Sequence, residues 1–330
     1  MSIIDLLPST PENKKGWPWP KGSEPLPESM LDGSPWPKIS IVTPSYNQAP
    51  FLEETIRSVV LQGYPNLEYI IIDGGSTDGS VDIIKKYEPW LHYWESQKDQ
   101  GQAQAINKGW KISSGAFLSW INSDDVLKPQ SLFRVMEQFE NHASAGLIYG
   151  DNERIDENGQ ILSVKKGKKI DLPDMLTSVS MPVPQPGSVI RRSIVEQVDY
   201  LNENWQVVLD RDLFLRCGLY CNFLYIPEAL AQIRLHPNAK SSAEKWKWVN
   251  EKRLMYKHFF NEQRLPLEVR NLKYETIGRA YLKATKISIL TNRRILSNLL
   301  NAVFWYPKIS IEPDFKKIAK KIISRMNIII

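Results

Sequence analysis

From Lys38 onward, short apolar runs alternate with stretches whose apolar residues recur at helical spacing. The runs at 39–43, 67–73, 91–95 and 116–122 predict strands, and the periods at 50–61, 78–87, 102–113 and 129–139 predict the helices between them. Strands alternating with helices imply an α/β fold with a mainly parallel sheet. In such sheets ligands bind beyond the carboxyl ends of the strands. Three of these ends are polar: Thr43-Pro44-Ser45-Tyr46-Asn47, Asp73-Gly74-Gly75-Ser76 and Asn122-Ser123-Asp124-Asp125. The pattern directs all three to one cleft.

After Gly146 the alternation loosens. It predicts a hairpin around Asp156-Glu157-Asn158-Gly159, a Pro-rich loop at 182–186, a helix near 210–219 and strands near 222–235. From about 241 the chain reads as helices rich in Lys, Arg, Trp and Tyr, ending at 316–330 with apolar and basic residues at helical spacing. Before Lys38, prolines at 8, 11, 18, 20, 25, 27, 35 and 37, with Trp17, Trp19 and Trp36 between them, predict an extended arm without regular structure. Its tryptophans are suited to packing on the domain or to contacting a partner. The chain thus divides into a Pro/Trp-rich arm at 1–37, a domain at 38–240 with halves 38–125 and 126–240, and a helical extension at 241–330.

Composition narrows the class. Over 330 residues, 42% hydrophobic and 24% charged residues describe a folded globular protein and exclude disorder of the bulk. The net charge of +5 is modest and its basic residues gather towards the C-terminus, so nucleic acid is not the expected partner. Cys217 and Cys221 are the only cysteines and there are four histidines, which excludes a disulfide framework and a cysteine-rich zinc site. Two thiols one turn apart on a helix, in a reducing compartment, are expected instead. Residues 1–8 lack a basic, then apolar leader pattern, and no stretch approaches roughly 18 apolar residues. The expected location is therefore cytoplasmic.

The runs Ile39-Ser40-Ile41-Val42-Thr43-Pro44-Ser45-Tyr46-Asn47, Ile70-Ile71-Ile72-Asp73-Gly74-Gly75-Ser76-Thr77-Asp78-Gly79-Ser80 and Leu118-Ser119-Trp120-Ile121-Asn122-Ser123-Asp124-Asp125 resemble, in order, content and spacing, the first half of the family 2 glycosyltransferases. Each fragment alone is weak; the ordered three are specific. The resemblance covers about 38–236. It implies a GT-A type, Rossmann-like fold: a mixed, mainly parallel sheet flanked by helices, followed here by the C-terminal helical extension. It also implies an inverting enzyme that moves a sugar from a nucleoside-diphosphate sugar to an acceptor hydroxyl with the help of Mn²⁺ or Mg²⁺. Residues 38–125 then form the nucleotide-binding half and 126–240 the acceptor half.

Carried over residue by residue, the resemblance makes Thr43, Ser45 and Asp73 the floor for the nucleotide. A carboxylate at Asp73 can accept the imide N–H of uracil or thymine, which favours a UDP- or dTDP-sugar, while capping of the turn is the plainer reading of the same residue. Asp124 and Asp125 would repel one another without a cation, and a hard divalent ion shared with diphosphate oxygens removes that repulsion. The family's Asp-x-Asp pattern maps onto Asn122-Ser123-Asp124, making Asp124 the first metal ligand and Asp125 a further contact. Asn122 departs from the pattern and is left between a ribose contact and support of the ligands. The segment Asp99 to Gly109 looks like the one in which a glycine opens a helix carrying Asn towards the donor, pointing to Gly101 and Asn107; a helix start explains Gly101 equally well. His236, in Arg234-Leu235-His236, is either structural or a ligand of the metal or diphosphate.

The second half supplies the base. Leu209-Asp210-Arg211-Asp212-Leu213 looks like the family's Glu-Asp-x-Asp-Leu segment, which maps the general base onto Asp210, with Leu209 in place of the acidic neighbour. Asp212 and Arg216, four apart, are expected to pair. Residues 185–192 resemble the loop before an acceptor-side strand. A dinucleotide-binding dehydrogenase would need Gly-x-Gly-x-x-Gly after the first strand, where this chain has Thr43-Pro44-Ser45-Tyr46-Asn47-Gln48. A sugar nucleotidyltransferase would show a Gly-rich, Arg-containing loop there. A non-catalytic nucleotide-sugar binder or scaffold of the same fold is the rival from another class, and the joint presence of Asp73, Asp124 and Asp210 speaks against it. A carbohydrate, lipid-linked or protein acceptor fits the resemblance. The tail at 316–330 is suited either to peripheral contact with the inner face of a membrane or to burial against the catalytic domain.

Overall fold

The computed structural model describes residues 3–12, 14–20, 22–24, 26–30, 33–178, 181–237, 245–261, 265–291 and 294–325. Its contacts divide the chain into two compact units, one of residues 1–169, 183–206 and 220–236, the other of 170–182, 207–219 and 237–330.

The first unit is built on nine strands: β1 (Ile39–Ser45), β2 (Leu67–Asp73), β3 (Tyr93–Ser96), β4 (Phe117–Trp120), β5 (Val126–Leu127), β6 (Ala145–Ile155), β7 (Ile161–Lys165), β8 (Val189–Arg191) and β9 (Asn222–Arg234). They pair in the order β3-β2-β1-β4-β8-β6-β9-β5, with β7 also on β6. The pairs β3-β2, β2-β1, β1-β4 and β6-β9 are parallel, whereas β8 and β5 run antiparallel to their neighbours. Every residue of β1 is buried, as a central parallel strand covered on both faces requires. Its helices are α1 (Ile3–Leu6), α2 (Ala49–Val60), α3 (Ser80–Lys86), α4 (Gln102–Ile112), α5 (Ser131–Asn141) and α7 (Arg192–Gln197). In α2, Pro50 sits in the first turn, where no amide donor is needed, and Leu52, Ile56, Val59 and Val60 enter the core. The predicted hairpin is present: Asp156 Oδ1 accepts from the amides of Asn158 and Gln160, and Gly159 takes the left-handed φ of +84° between β6 and β7. The strands expected near 222–235 are one long strand, β9.

In the N-terminal stretch, a short helix, α1, appears where no regular structure is expected. A buried cation ties part of this stretch to α2. Arg57 of α2 donates from Nε to the Pro18 carbonyl (3.1 Å), from Nη1 to that of Pro8 (3.0 Å) and from Nη2 to that of Trp19 (3.0 Å). Trp19 and Trp36 are buried, and the Trp17 indole donates to the Leu127 carbonyl at 2.6 Å. All three tryptophans therefore pack against the unit that carries the sheet.

The second unit is helical: α6 (Leu172–Thr177), α8 (Leu209–Cys217), α9 (Lys245–Phe259), α10 (Leu267–Asn271), α11 (Lys273–Thr291), α12 (Ile295–Trp305) and α13 (Pro313–Arg325), with a 3₁₀ turn at Pro307–Ile311. The Asp212–Arg216 pair forms in α8, with Nη2 and Oδ2 2.7 Å apart. Cys221 lies past the end of that helix, so the two thiols do not share it. Gly278 in α11 lets α12 come close: a Cβ there would lie 2.5 Å from that of Tyr306. Among the described residues, no helix is long and apolar enough to cross a membrane.

Candidate active site

The parallel register sets Ser45, the last residue of β1, opposite Asp73, the last of β2. Asp73 is fully buried. Its Oδ2 accepts from the amides of Gly75 (3.1 Å) and Ser76 (2.8 Å) and from Ser96 Oγ (2.7 Å), and its Oδ1 accepts from Ser76 Oγ (2.6 Å). Three donors crowd Oδ2 and one reaches Oδ1, so this carboxylate holds the strand-end turn closed while Oδ1 keeps one of its roughly two acceptor positions. The turn needs glycine: Gly75 has φ of +83°, and a Cβ on Gly74 would meet Asp99 Oδ2 at 3.0 Å. Next to it, the Ser45 hydroxyl is buried with no hydrogen-bond partner. A polar group left this way costs about 1–3 kcal/mol. Thr43 is different. Its hydroxyl shares a 2.9 Å hydrogen bond with Tyr69, whose phenol burial pushes far above its ordinary pKa, so both belong to the interior beneath the strand end.

The start of α4 lies beside this turn. Gly101 has φ of +128°, its amide donates to Asp99 Oδ1 at 2.9 Å, and a Cβ would come within 2.7 Å of Gln206 Oε1. From the same helix end, Gln102 Nε2 donates to Asn122 Oδ1 (2.6 Å), and Asn122 Nδ2 donates on to Asp125 Oδ2 (2.9 Å). Asn107, further along α4, is buried. Its Nδ2 donates to the Leu201 carbonyl and to Glu203 Oε1, both at 2.9 Å, and its Oδ1 accepts from the Leu201 amide, so its side chain ties down the loop at 201–203.

The antiparallel pairing of Val126 with Gln232, carried back two residues, sets Asp124 against Arg234. Arg234 reads this segment at several points. Its amide donates to Asp125 Oδ1 (3.1 Å), its Nε to the Asp124 carbonyl (3.0 Å) and its Nη1 to the carbonyls of Asp156 and Glu157, while Nη2 lies 3.1 Å from Glu54 Oε1. Asp125 therefore points inward with both oxygens engaged by the chain's own N–H groups. Burial, and then the neighbouring Asp124 charge, push its carboxyl well above the ordinary aspartate range, against the opposing effect of the Arg234 amide. Asp124 turns the other way, its side chain 19% exposed, and its Oδ2 lies 3.0 Å from His236 Nε2. The His236 ring packs 4.9 Å from Phe51, whose other neighbour is the Arg234 guanidinium at 5.0 Å. Sequence reasoning names Arg234 only as part of the segment around His236; the strand register that gives it this role is not visible in the residues themselves.

Asp210 belongs to the second unit, in the first turn of α8, where its Oδ1 accepts from the Arg211 amide at 2.7 Å. Among the described residues, no three His, Cys, Asp or Glu side chains are grouped to hold a metal ion. The pair Asp124 and His236 offers one carboxylate and one imidazole. This set fits a divalent cation that takes its other ligands from diphosphate oxygens and water, as Mg²⁺ and Mn²⁺ commonly do.

A sheet of this order, flanked by helices and with its polar strand ends gathered on one side, has the GT-A, Rossmann-like architecture. Residues 40–199, just under half of the chain, match the model of Glycosyl transferase family 2. The chain is 29% identical over 215 residues to an uncharacterized glycosyltransferase of Nostoc sp., covering 60% of this chain and 65% of the relative. It therefore spans just under two thirds of that protein's length. It is also 29% identical over 237 residues to the putative teichuronic acid biosynthesis glycosyltransferase TuaG of Bacillus subtilis, covering 67% and 88%. Among solved structures, S. aureus TarS 1-349 in complex with UDP-GlcNAc superposes with a TM-score of 0.64 at 16% identity, over 81% of each chain. The mannosyltransferase PcManGT from Pyrobaculum calidifontis, in complex with GDP-Man and Mn²⁺, gives 0.51 at 12% identity, over 85% and 82%. At such identities the likeness is one of fold.

Proposed function

We propose that the chain transfers a glycosyl group from a UDP- or dTDP-sugar to an acceptor hydroxyl, with inversion at the anomeric carbon and with Mn²⁺ or Mg²⁺ at the diphosphate. The observation that carries this reading is the 3.0 Å approach of Asp124 and His236, which pairs two residues 112 positions apart beside the polar strand ends. A cation held by these two side chains would neutralise charge on the departing nucleoside diphosphate. The buried, unpaired Ser45 hydroxyl supports a nucleotide contact at the end of β1, and the remaining Oδ1 position of Asp73 supports a pyrimidine imide there. Gly101 serves the close approach at the α4 start, and Asn122, linked to Gln102 and Asp125, supports the Asp124 turn. Thr43, Asn107 and Asp125 then act beneath the site, holding its floor and loops.

Asp210 is the base in this reading, a role that rests on the likeness of its segment to the family pattern. It takes the proton of the acceptor hydroxyl while that oxygen forms its bond to the anomeric carbon and the bond from this carbon to the diphosphate breaks. A single in-line displacement needs no covalent enzyme intermediate. The UDP-GlcNAc complex of TarS supports a uridine donor, and the likeness to TuaG, a putative teichuronic acid biosynthesis glycosyltransferase, supports a carbohydrate acceptor.

Melting of the full chain with UDP, dTDP, GDP and CDP, each with Mn²⁺ and with chelator, tests the reading. Ligand at about a hundred times Kd should stabilise by roughly 2.7 kcal/mol, and UDP and dTDP, the two whose bases carry an imide N–H, should do so better than GDP or CDP and only with the metal. Preferential protection by GDP, or equal protection with chelator, contradicts it.

A further inference from the structure

The last described part of the chain separates two features that the sequence places together. In α13, Ile318 and Ile322 are buried, so the apolar face of the tail helix is turned into its own unit. Lys316, Lys317, Lys320 and Lys321 remain exposed. The uncovered apolar surface lies one helix earlier. On α12, Asn298 and Ala302 are buried, and Asn298 Nδ2 donates to Ser288 Oγ of α11 at 2.8 Å. The other side of α12 carries Leu296, Leu300 and Phe304, 51%, 69% and 77% exposed. Spaced four apart, they form one stripe along the helix. Ile311, in the following 3₁₀ turn, is also exposed, and Tyr274 stacks on Trp305 at 6.0 Å, an aromatic pair of the kind that settles at a water–lipid boundary.

Charge decides what this stripe meets. Arg294 and Lys308, both exposed, flank it in sequence, and residues 294–325 carry seven basic side chains against two acidic ones. The two acids are already engaged: Glu312 with Arg279, and Asp314 with Lys286 at 2.7 Å. At 11 residues, α12 is too short to span a bilayer of roughly 30 Å but long enough to lie in its surface.

We infer that α12 is a membrane-surface element that inserts Leu296, Leu300 and Phe304 into an anionic lipid leaflet, while the lysines of the 3₁₀ turn and α13 bind the headgroups. This deepens the proposed function, since a lipid-linked acceptor would be presented at such a surface; it moves the apolar anchor from the tail to α12.

The test is flotation of the full chain with phosphatidylglycerol vesicles and with phosphatidylcholine vesicles, at low and high salt. The wild type should float with the anionic vesicles and lose that binding as salt rises. Leu300→Asp with Phe304→Asp should bind at least about tenfold more weakly, as should the chain carrying Lys316→Gln, Lys317→Gln, Lys320→Gln and Lys321→Gln. Melting of each variant with UDP and Mn²⁺ reports folding and donor binding apart from lipid. Indifference of the wild type to both vesicles overturns the inference, as does unchanged binding by the folded double variant. A wild-type dimer that the double variant converts to monomer, without vesicle binding, overturns it in favour of a second copy. Loss of UDP protection in the wild type, with vesicle binding intact, sinks the donor reading alone.

Discussion

His236 Nε2 lies 3.0 Å from Asp124 Oδ2, although the two residues are 112 positions apart. The contact depends on the β5–β9 register and on Arg234, whose Nε holds the Asp124 carbonyl and whose amide holds the Asp125 carboxylate. If this pair is the protein's share of a metal site, His236→Ala and Asp124→Ala should each weaken metal-dependent nucleotide binding by about ten- to a hundredfold. Calorimetry of UDP binding with Mn²⁺ measures this. Wild-type affinity in both variants would return His236 to a structural role.

Ser45 makes a prediction with two opposite signs. Its hydroxyl is buried without a partner in the ligand-free chain, so Ser45→Ala should leave stability unchanged or raise it, by up to about 1–3 kcal/mol. The same change should weaken nucleotide binding. Denaturant midpoints with and without UDP separate the two effects, and a destabilised variant with normal UDP affinity would show that the hydroxyl serves the fold.

Asp78 gives a pH dependence at the neighbouring turn. Its Oδ1 accepts from the amide and hydroxyl of Ser80, and its Oδ2 accepts from the Ala49 amide at 2.9 Å. Burial works to raise its pKa, but these hydrogen bonds outweigh burial and hold the carboxyl below the ordinary range. A folded-state pKa below the unfolded one contributes stability above the unfolded value and loses it as pH falls through the folded value. Asp78→Asn should therefore melt below the wild type at pH 7, with the gap closing only below about pH 4. A constant gap from pH 7 to pH 3 would contradict the assignment.

The α/β alternation, both ends of β2 and the helices between the first strands were legible because periodicity and terminal glycines act locally, while β1 runs two residues past its predicted end, to Ser45. Strand β2 was bounded at both ends as the apolar run predicts, since Leu67 opens it and the Asp73-Gly74-Gly75 turn closes it. The inward turn of Asp125, and the use of Thr43 and Asn107 as ties to Tyr69 and the 201–203 loop, were not legible. Each depends on a partner between 26 and 109 residues away, set by sheet register and helix facing. The tail leaves membrane contact and burial open in the sequence; in its described part Ile318 and Ile322 are buried, and residues 326–330 lie outside the described residues.

The central claim is transfer with Asp210 as the base, and its most direct measurement compares turnover and donor affinity in Asp210→Asn. The variant keeps the shape and one acceptor oxygen but cannot take a hydroxyl proton at neutral pH. Transfer should fall by about a hundredfold or more, the usual worth of a positioned base, while the Kd for the nucleotide sugar stays unchanged. Normal turnover in Asp210→Asn, or loss of donor affinity with normal turnover at saturation, would contradict the account.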